Sequence, residues 1–185
     1  MIKIISVETF CNELVGFVRI TDETGDQGWG QVSTYHSDIT CQVLHRQVAP
    51  WVLGVEFSNL DDLLDLVTER EHKFPGSYLR RAIGGFDTAV WDLWGKQAGK
   101  PVVALLGGKP GKLRVYASSM RRDITPVEEA ERLIALQQKF GYNAFKVRAG
   151  AEVGRNKDEW PGRTEEIILV TVSYTHLTLP TTYHV

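Results

Sequence analysis

The sequence predicts an α+β domain, a three-stranded antiparallel meander plus helices, followed by the start of a parallel β/α unit. Three observations predict it. Short apolar stretches broken by a glycine-bearing polar turn fill residues 2–32. A helical apolar period runs unbroken over residues 78–98. After Pro110 the pattern changes to strand, helix, strand.

Ile2, Ile4 and Val7 open the first strand, and Leu14 to Thr21 carries the second through Val15, Phe17, Val18 and Ile20. Asp22 to Gly28 supplies the short polar residues and glycines of a hairpin loop. Trp29-Gly30-Gln31-Val32 is the returning strand.

Helices follow. Ile39 to Leu53 places Val43, Leu44, Val48 and Val52 at helical spacing. Ser58 offers a capping hydroxyl and Asp61 an acid at the third helical position, which starts a helix carrying Leu60, Leu63, Leu64 and Val67. The strongest helix spans Tyr78 to Ala98, with Leu79, Ala82, Ile83, Phe86, Val90, Leu93 and Trp94 on one broad face. Gly84 and Gly85 inside it each cost about 1 kcal/mol relative to alanine, so a backbone packed closely against that turn is expected. Gly99 and Pro101 end the helix, and Val102 to Leu106 forms one further turn closed by Gly107-Gly108.

Leu113 to Ala117 reads as a strand. Thr125-Pro126-Val127-Glu128 combines a capping box with proline at the first helical position, and Gly141 stops the helix that follows. Asn143 to Arg148 is a second strand, so the three elements form a βαβ unit with a right-handed crossover. A polar connection from Gly150 to Gly162 leads to a third helix near Arg163. That connection is longer than a common βα loop. Its Glu152, Arg155, Asp158, Glu159, Trp160 and Arg163 mark either a functional loop or an exposed charged face. The domain boundary falls between Gly108 and Leu113.

Composition narrows the function. The 185 residues are 43% hydrophobic and 24% charged, with a formal net charge of -2. No basic excess is present to neutralise phosphates, so a nucleic-acid partner is not expected. No apolar run reaches the roughly 18 residues of a membrane span. The N-terminus turns polar too quickly, at Ser6 and Glu8, for a signal peptide. A membrane partner is therefore not expected, and the cytoplasm is the expected location. Cys11 and Cys41 form no CxxC, so neither a disulfide framework nor a zinc site is indicated.

One segment is distinctive. Ala82-Ile-Gly-Gly85-Phe86-Asp87-Thr-Ala89-Val90-Trp91-Asp92 runs into Gly99-Lys-Pro101 and Leu105-Leu106-Gly107-Gly108. It resembles the signature of the mandelate racemase/muconate lactonizing enzyme family of the enolase superfamily. The resemblance implies that residues 1–110 are the family's N-terminal capping domain. Residues 111–170 would be the truncated start of a (β/α)8 TIM barrel, and residues 171–185 a non-native tail. A whole barrel needs about 250 residues. Most of the signature is expected to be structural, with Asp87, Trp91 and Asp92 packing and hydrogen-bonding rather than reacting.

The chemistry that the resemblance implies is removal of a proton α to a carboxylate, with Mg²⁺ stabilising the enediolate. An α-proton is too weakly acidic for a side-chain base unless a fixed cation meets the developing charge. Lys146-Val147-Arg148 resembles the family's Lys-x-Lys motif at the end of the second barrel strand. Strand alternation puts Lys146 and Arg148 on one side. Arginine stays protonated and is a poor base, so Arg148 reads as a carboxylate clamp and the base is expected elsewhere. This favours a sugar-acid dehydratase over a two-base racemase or a cycloisomerase. Tyr35 and His36, in one of two loops that would close over substrate, are the expected substrate-binding residues. No acid in the chain is given a metal-ligand role, because the strands that carry the family's Mg²⁺ ligands are not expected within it. The chain alone is expected to be inactive, and the intact enzyme to be a homo-oligomer acting on a small carboxylate. The rival from another class is a non-catalytic binding or oligomerisation module. His176 and His184 fall in the Thr-rich end and receive no role.

Overall fold

The computed structural model describes residues 1–152 and 154–175, which fall into two compact units, Met1–Gly111 and Lys112–Val185. The first unit is a sheet covered by helices. Strands β1 (Ile2–Cys11), β2 (Gly16–Asp22) and β3 (Gln27–Val32) form the antiparallel meander, and a two-residue strand, β4 (Glu56–Phe57), adds to its far edge on β1. Gln27 and Gly28 belong to β3 rather than to the hairpin loop.

The register explains which side chains face inward. Val7, Thr9 and Cys11 stand opposite Ile20, Val18 and Gly16. A bulge between Ile4 and Ser6 shifts β1 by one residue, so Ile4 is buried while Ile5 points out. Val18, Ile20 and Val32 complete the inner face.

Helices α1 (Ser37–Val43) and α2 (Ala49–Val52) are joined by a π-helical turn over Leu44–Val48. Pro50 has no N–H to donate back along the helix, and the widened turn just before it absorbs that misfit. Helix α3 (Leu60–Arg70) is capped by Asn59, whose side chain accepts from the Asp61 N–H. Ser58 is not the cap; the amide oxygen one residue later reaches the free N–H.

Helix α4 (Ser77–Ala98) is the centre of this unit. Its backbone rests directly on β3. A Cβ added to Gly28 would lie 2.0 Å from the Ala89 carbonyl, and one added to Gly30 would lie 2.0 Å from the Gly85 carbonyl. A Cβ on Gly85 would meet Val32 at 2.6 Å, whereas one on Gly84 would meet nothing. The close packing expected of the glycine pair therefore belongs to Gly85 alone. Leu79, Ala82, Phe86, Ala89, Val90 and Leu93 are buried against Ile4, Val18, Ile20, Leu44 and Val67 in one core. Gly99, at φ 59°, closes the helix, with Lys100 N–H bonded to the Gly95 carbonyl. Helix α5 (Val102–Leu105) follows.

The second unit holds two short parallel strands, β5 (Ala117–Ser118) and β6 (Phe145–Lys146), joined through α6 (Pro126–Phe140). The capping box is present: Thr125 accepts from the Glu128 N–H, and Glu128 accepts from the Thr125 N–H at 2.8 Å. The strand expected over Leu113–Ala117 begins only at Ala117, and Leu113, Val115 and Tyr116 are exposed. A parallel strand is held by burial on both faces, and here only a two-residue pairing forms. Helix α7 (Arg163–Thr175) continues past Val170. Of the segment expected to be a tail, residues 176–185 lie outside the described residues. Among the described residues no helix is long and apolar enough to cross a membrane.

Candidate functional site

Each unit brings together one group of the residues singled out above. In the first unit, two loops meet at the end of the sheet. Asn12 closes a tight turn, its side-chain oxygen accepting from the N–H groups of Leu14 and Val15 at 2.8 Å each. The second loop bonds to this turn: Tyr35 N–H donates to the Leu14 carbonyl at 3.3 Å, and Ser37 N–H to the Glu13 carbonyl at 3.0 Å. Tyr35 and His36 both adopt left-handed backbone, at φ 61° and 54°. For residues with a Cβ that conformation stores strain, and strained pairs cluster at functional sites. The strain is set against firm anchors: the Ser37 hydroxyl donates to the Ser33 carbonyl at 2.8 Å, and Thr40 N–H to the His36 carbonyl at 3.0 Å.

The Tyr35 side chain is 65% exposed. With Leu14, Val15 and Thr34 it lines an open depression of about 260 Å³. His36 stands beside it at the start of α1, exposed. The arrangement is an open, largely apolar depression with the Tyr35 phenol at its edge. The left-handed pair carries no glycine or asparagine, so no signal in the residues announced it.

In the second unit, the C-terminal ends of β5 and β6 gather positive charge. Lys146 ends β6 and is exposed, while its carbonyl accepts from Ser119 N–H at 2.8 Å. Arg148 is half-buried, and its guanidinium donates to the Met120 sulfur at 3.1 Å. A thioether is a weak acceptor, so this guanidinium is readily released to a better one. Arg163 is buried, donates to the Arg148 carbonyl at 2.9 Å and stacks over Trp160. Arg122 bonds to the Gly150 carbonyl and approaches Glu159 at 3.5 Å. Sequence reading passed over Arg122; its one signal was its place just after the first parallel strand.

The polar connection is more than a solvated face. Asp158 accepts from the Thr164 N–H and hydroxyl, and Gly150 N–H donates to that hydroxyl at 2.8 Å. The Thr164 hydroxyl and N–H hold the Asp158 carboxyl below its ordinary value.

The acids of the α4 segment do structural work. Asp92 accepts from the Trp29 N–H of edge strand β3 at 2.8 Å and from the Lys96 ammonium at 2.6 Å. Lys96 in turn donates to the Gln27 carbonyl at 3.1 Å. Burial raises the Asp87 carboxyl above its ordinary value, against the Trp91 indole, which lowers it. Among the described residues no group of three or more histidine, cysteine or acidic side chains could hold a metal ion.

Comparison with known proteins adds to this geometry. The family described as mandelate racemase / muconate lactonizing enzyme, N-terminal domain, matches residues 2–107. Among curated proteins, a D-galactonate dehydratase family member from Paenibacillus sp. is 33% identical over 73% of this chain and 33% of its own length. The arabinonate dehydratase of Saccharolobus solfataricus is 29% identical over 72% of this chain and 37% of its own. Among solved structures, a candidate racemase from Roseobacter denitrificans is 69% identical with a TM-score of 0.88, covering 94% of this chain and 47% of that one. A mandelate racemase/muconate lactonizing protein from Paracoccus denitrificans, complexed with magnesium, is 30% identical with a TM-score of 0.70, covering 78% and 41%. The chain thus spans about a third of the length of these curated relatives and under half of these solved structures.

Proposed function

Since the chain belongs to the mandelate racemase/muconate lactonizing enzyme family, we propose that it forms part of a sugar-acid dehydratase. Such an enzyme removes the proton α to a carboxylate and expels the neighbouring hydroxyl. Residues 1–110 act as the capping domain and residues 111–170 as the start of the catalytic barrel. Tyr35 and His36 are the substrate-binding groups of the capping domain. Lys146 and Arg148 meet the carboxylate and the charge that grows on it as the proton leaves. The observation that carries the reading is Arg148 at the second position of the motif. A guanidinium holds a carboxylate through paired N–H donors but cannot take its α-proton. The names of the curated relatives agree with it, since both are sugar-acid dehydratases or members of such a family.

Magnesium, when bound to the whole enzyme, would supply the charge that stabilises the enediolate. No residue described in this chain is assigned to hold it. A second reading, a racemase of the same family, is favoured by the candidate racemase at 69% identity.

The test uses the full-length enzyme that carries this segment. Aldonic acids are offered with Mg²⁺ in deuterated water, and elimination is followed alongside exchange at the α-carbon. Formation of a 2-keto-3-deoxy acid, with washout of the α-proton from one epimer only, is expected. Fast exchange in both epimers without loss of water would replace the dehydratase with the racemase.

A further inference from the structure

The two cysteines, far apart in sequence, both lie beside Gly16. Cys11 ends β1 opposite Gly16 of β2. By strand alternation its side chain lies on the same face as Thr9, whose hydroxyl is 2.9 Å from the His45 Nε2. Gly16 has no side chain on that face, and a Cβ placed on it would lie 2.7 Å from Val32 Cγ2 and 3.1 Å from both the Cys41 sulfur and the Ser37 Cβ. Opposed Cβ positions on paired strands stand about 4.5–5.5 Å apart. The Cys11 side chain, opposite Gly16, and the Cys41 sulfur, packed over Gly16, therefore stand near each other on one face of the sheet. Cys11 is exposed, whereas Cys41, on α1, is buried. Burial, and then the adjoining Cys11 thiol, push the Cys41 thiol up to about 12, against the Thr9 hydroxyl, which lowers it.

We propose that Cys11 and Cys41 are an oxidisable dithiol, in which a peroxide oxidises Cys11 and Cys41 closes a disulfide onto it. The Cys11 sulfur attacks one peroxide oxygen and the O–O bond breaks, leaving a sulfenic acid on Cys11, while the departing hydroxide takes the proton given up by the Cys11 thiol and leaves as water. The Cys41 sulfur then attacks the Cys11 sulfur. The S–O bond breaks, and the hydroxyl leaves as a second water with the proton of Cys41. Two thiols lose two electrons, and hydrogen peroxide is reduced to two waters. Thr9, between Cys41 and His45, gives that proton a path outward. Cys11 is exposed to the peroxide and Cys41 is buried behind it, which fixes the order of the steps.

Cys11 immediately precedes the Asn12–Val15 turn, and α1 immediately follows His36. The bond would staple the two loops together. That consequence rests on reading those loops as a substrate rim; the disulfide itself does not.

The experiment treats the purified chain with hydrogen peroxide under native conditions, then counts thiols and maps disulfide-linked peptides by mass spectrometry. Both thiols are expected to disappear together, with loss of two hydrogens and a Cys11–Cys41 linked peptide that dithiothreitol releases. Cys41→Ser should let Cys11 advance to sulfinic acid, and Cys11→Ser should leave Cys41 unreacted. Wild-type protein in which Cys11 gains oxygen or links two chains while Cys41 stays a thiol would overturn the proposal. The assay reads no turnover, so its result stands apart from the dehydratase test.

Discussion

Asp22 is buried, yet its carboxyl is held below its ordinary value. Burial works to raise it. Bonds from the Thr24 hydroxyl and N–H, the Asp26 N–H and the Gln97 side chain outweigh that. Gln97 reaches Asp22 from α4 at 2.7 Å, so the carboxylate ties the hairpin to the helix. The folded pKa is thus below the unfolded value of about 3.9. The stabilisation is complete above that value and is lost as pH falls through the folded pKa. Thermal melts should therefore lose stability below about pH 4, and Asp22→Asn should lower the neutral-pH stability by about 1–3 kcal/mol while flattening the acid limb. An acid limb of unchanged slope in the variant would show that other carboxylates carry the effect. The sequence marked Asp22 as a turn residue through its short side chain. Its partner Gln97 was not legible, because nothing local connects a hairpin to the last turn of a distant helix.

Helix α4 was the most legible element, since its apolar period, its glycine stop and its boundaries all follow from local rules. What it packs against was not. Gly28 and Gly30 read as turn and strand residues, and only the structure shows the Ala89 and Gly85 carbonyls occupying the space of their missing side chains. Gly30→Ala should destabilise the protein by about 1–3 kcal/mol through overpacking, visible as a lower urea midpoint with an unchanged slope. Gly84→Ala, facing open space, should stabilise it slightly, since alanine is the better helix former. Equal effects at the two positions would remove the close approach as the cause. The Leu113 strand shows the opposite failure. Its alternation is correct for a sheet, but pairing is a non-local matter, and β5 forms over only two residues.

At the scale of the molecule, the large apolar core runs from Ile4 to Leu93 and is made wholly of residues of the first unit. In the second unit the buried apolar side chains among the described residues are Pro126, Ala130, Leu133 and Ile167. Residues 1–111 alone should therefore melt cooperatively near the midpoint of the whole chain, with the near-ultraviolet dichroism of Trp91 and Trp94 retained. A molten piece without a transition would place the stability elsewhere. Of the candidate site, the family segment, the two loops and the Lys146–Arg148 strand end were legible. Their neighbours Met120 and Arg122 were not, because tertiary proximity leaves no local trace. The Asp92–Lys96 pair has a last consequence, in the language of cooperativity. An outer strand normally frays by itself, one exposed amide at a time. Here the outward N–H of Trp29 and carbonyl of Gln27 are held by the helix that also forms the core. β3 therefore cannot peel away from the sheet unless α4 lifts with it, and local opening at this border becomes the same event as global unfolding of the unit.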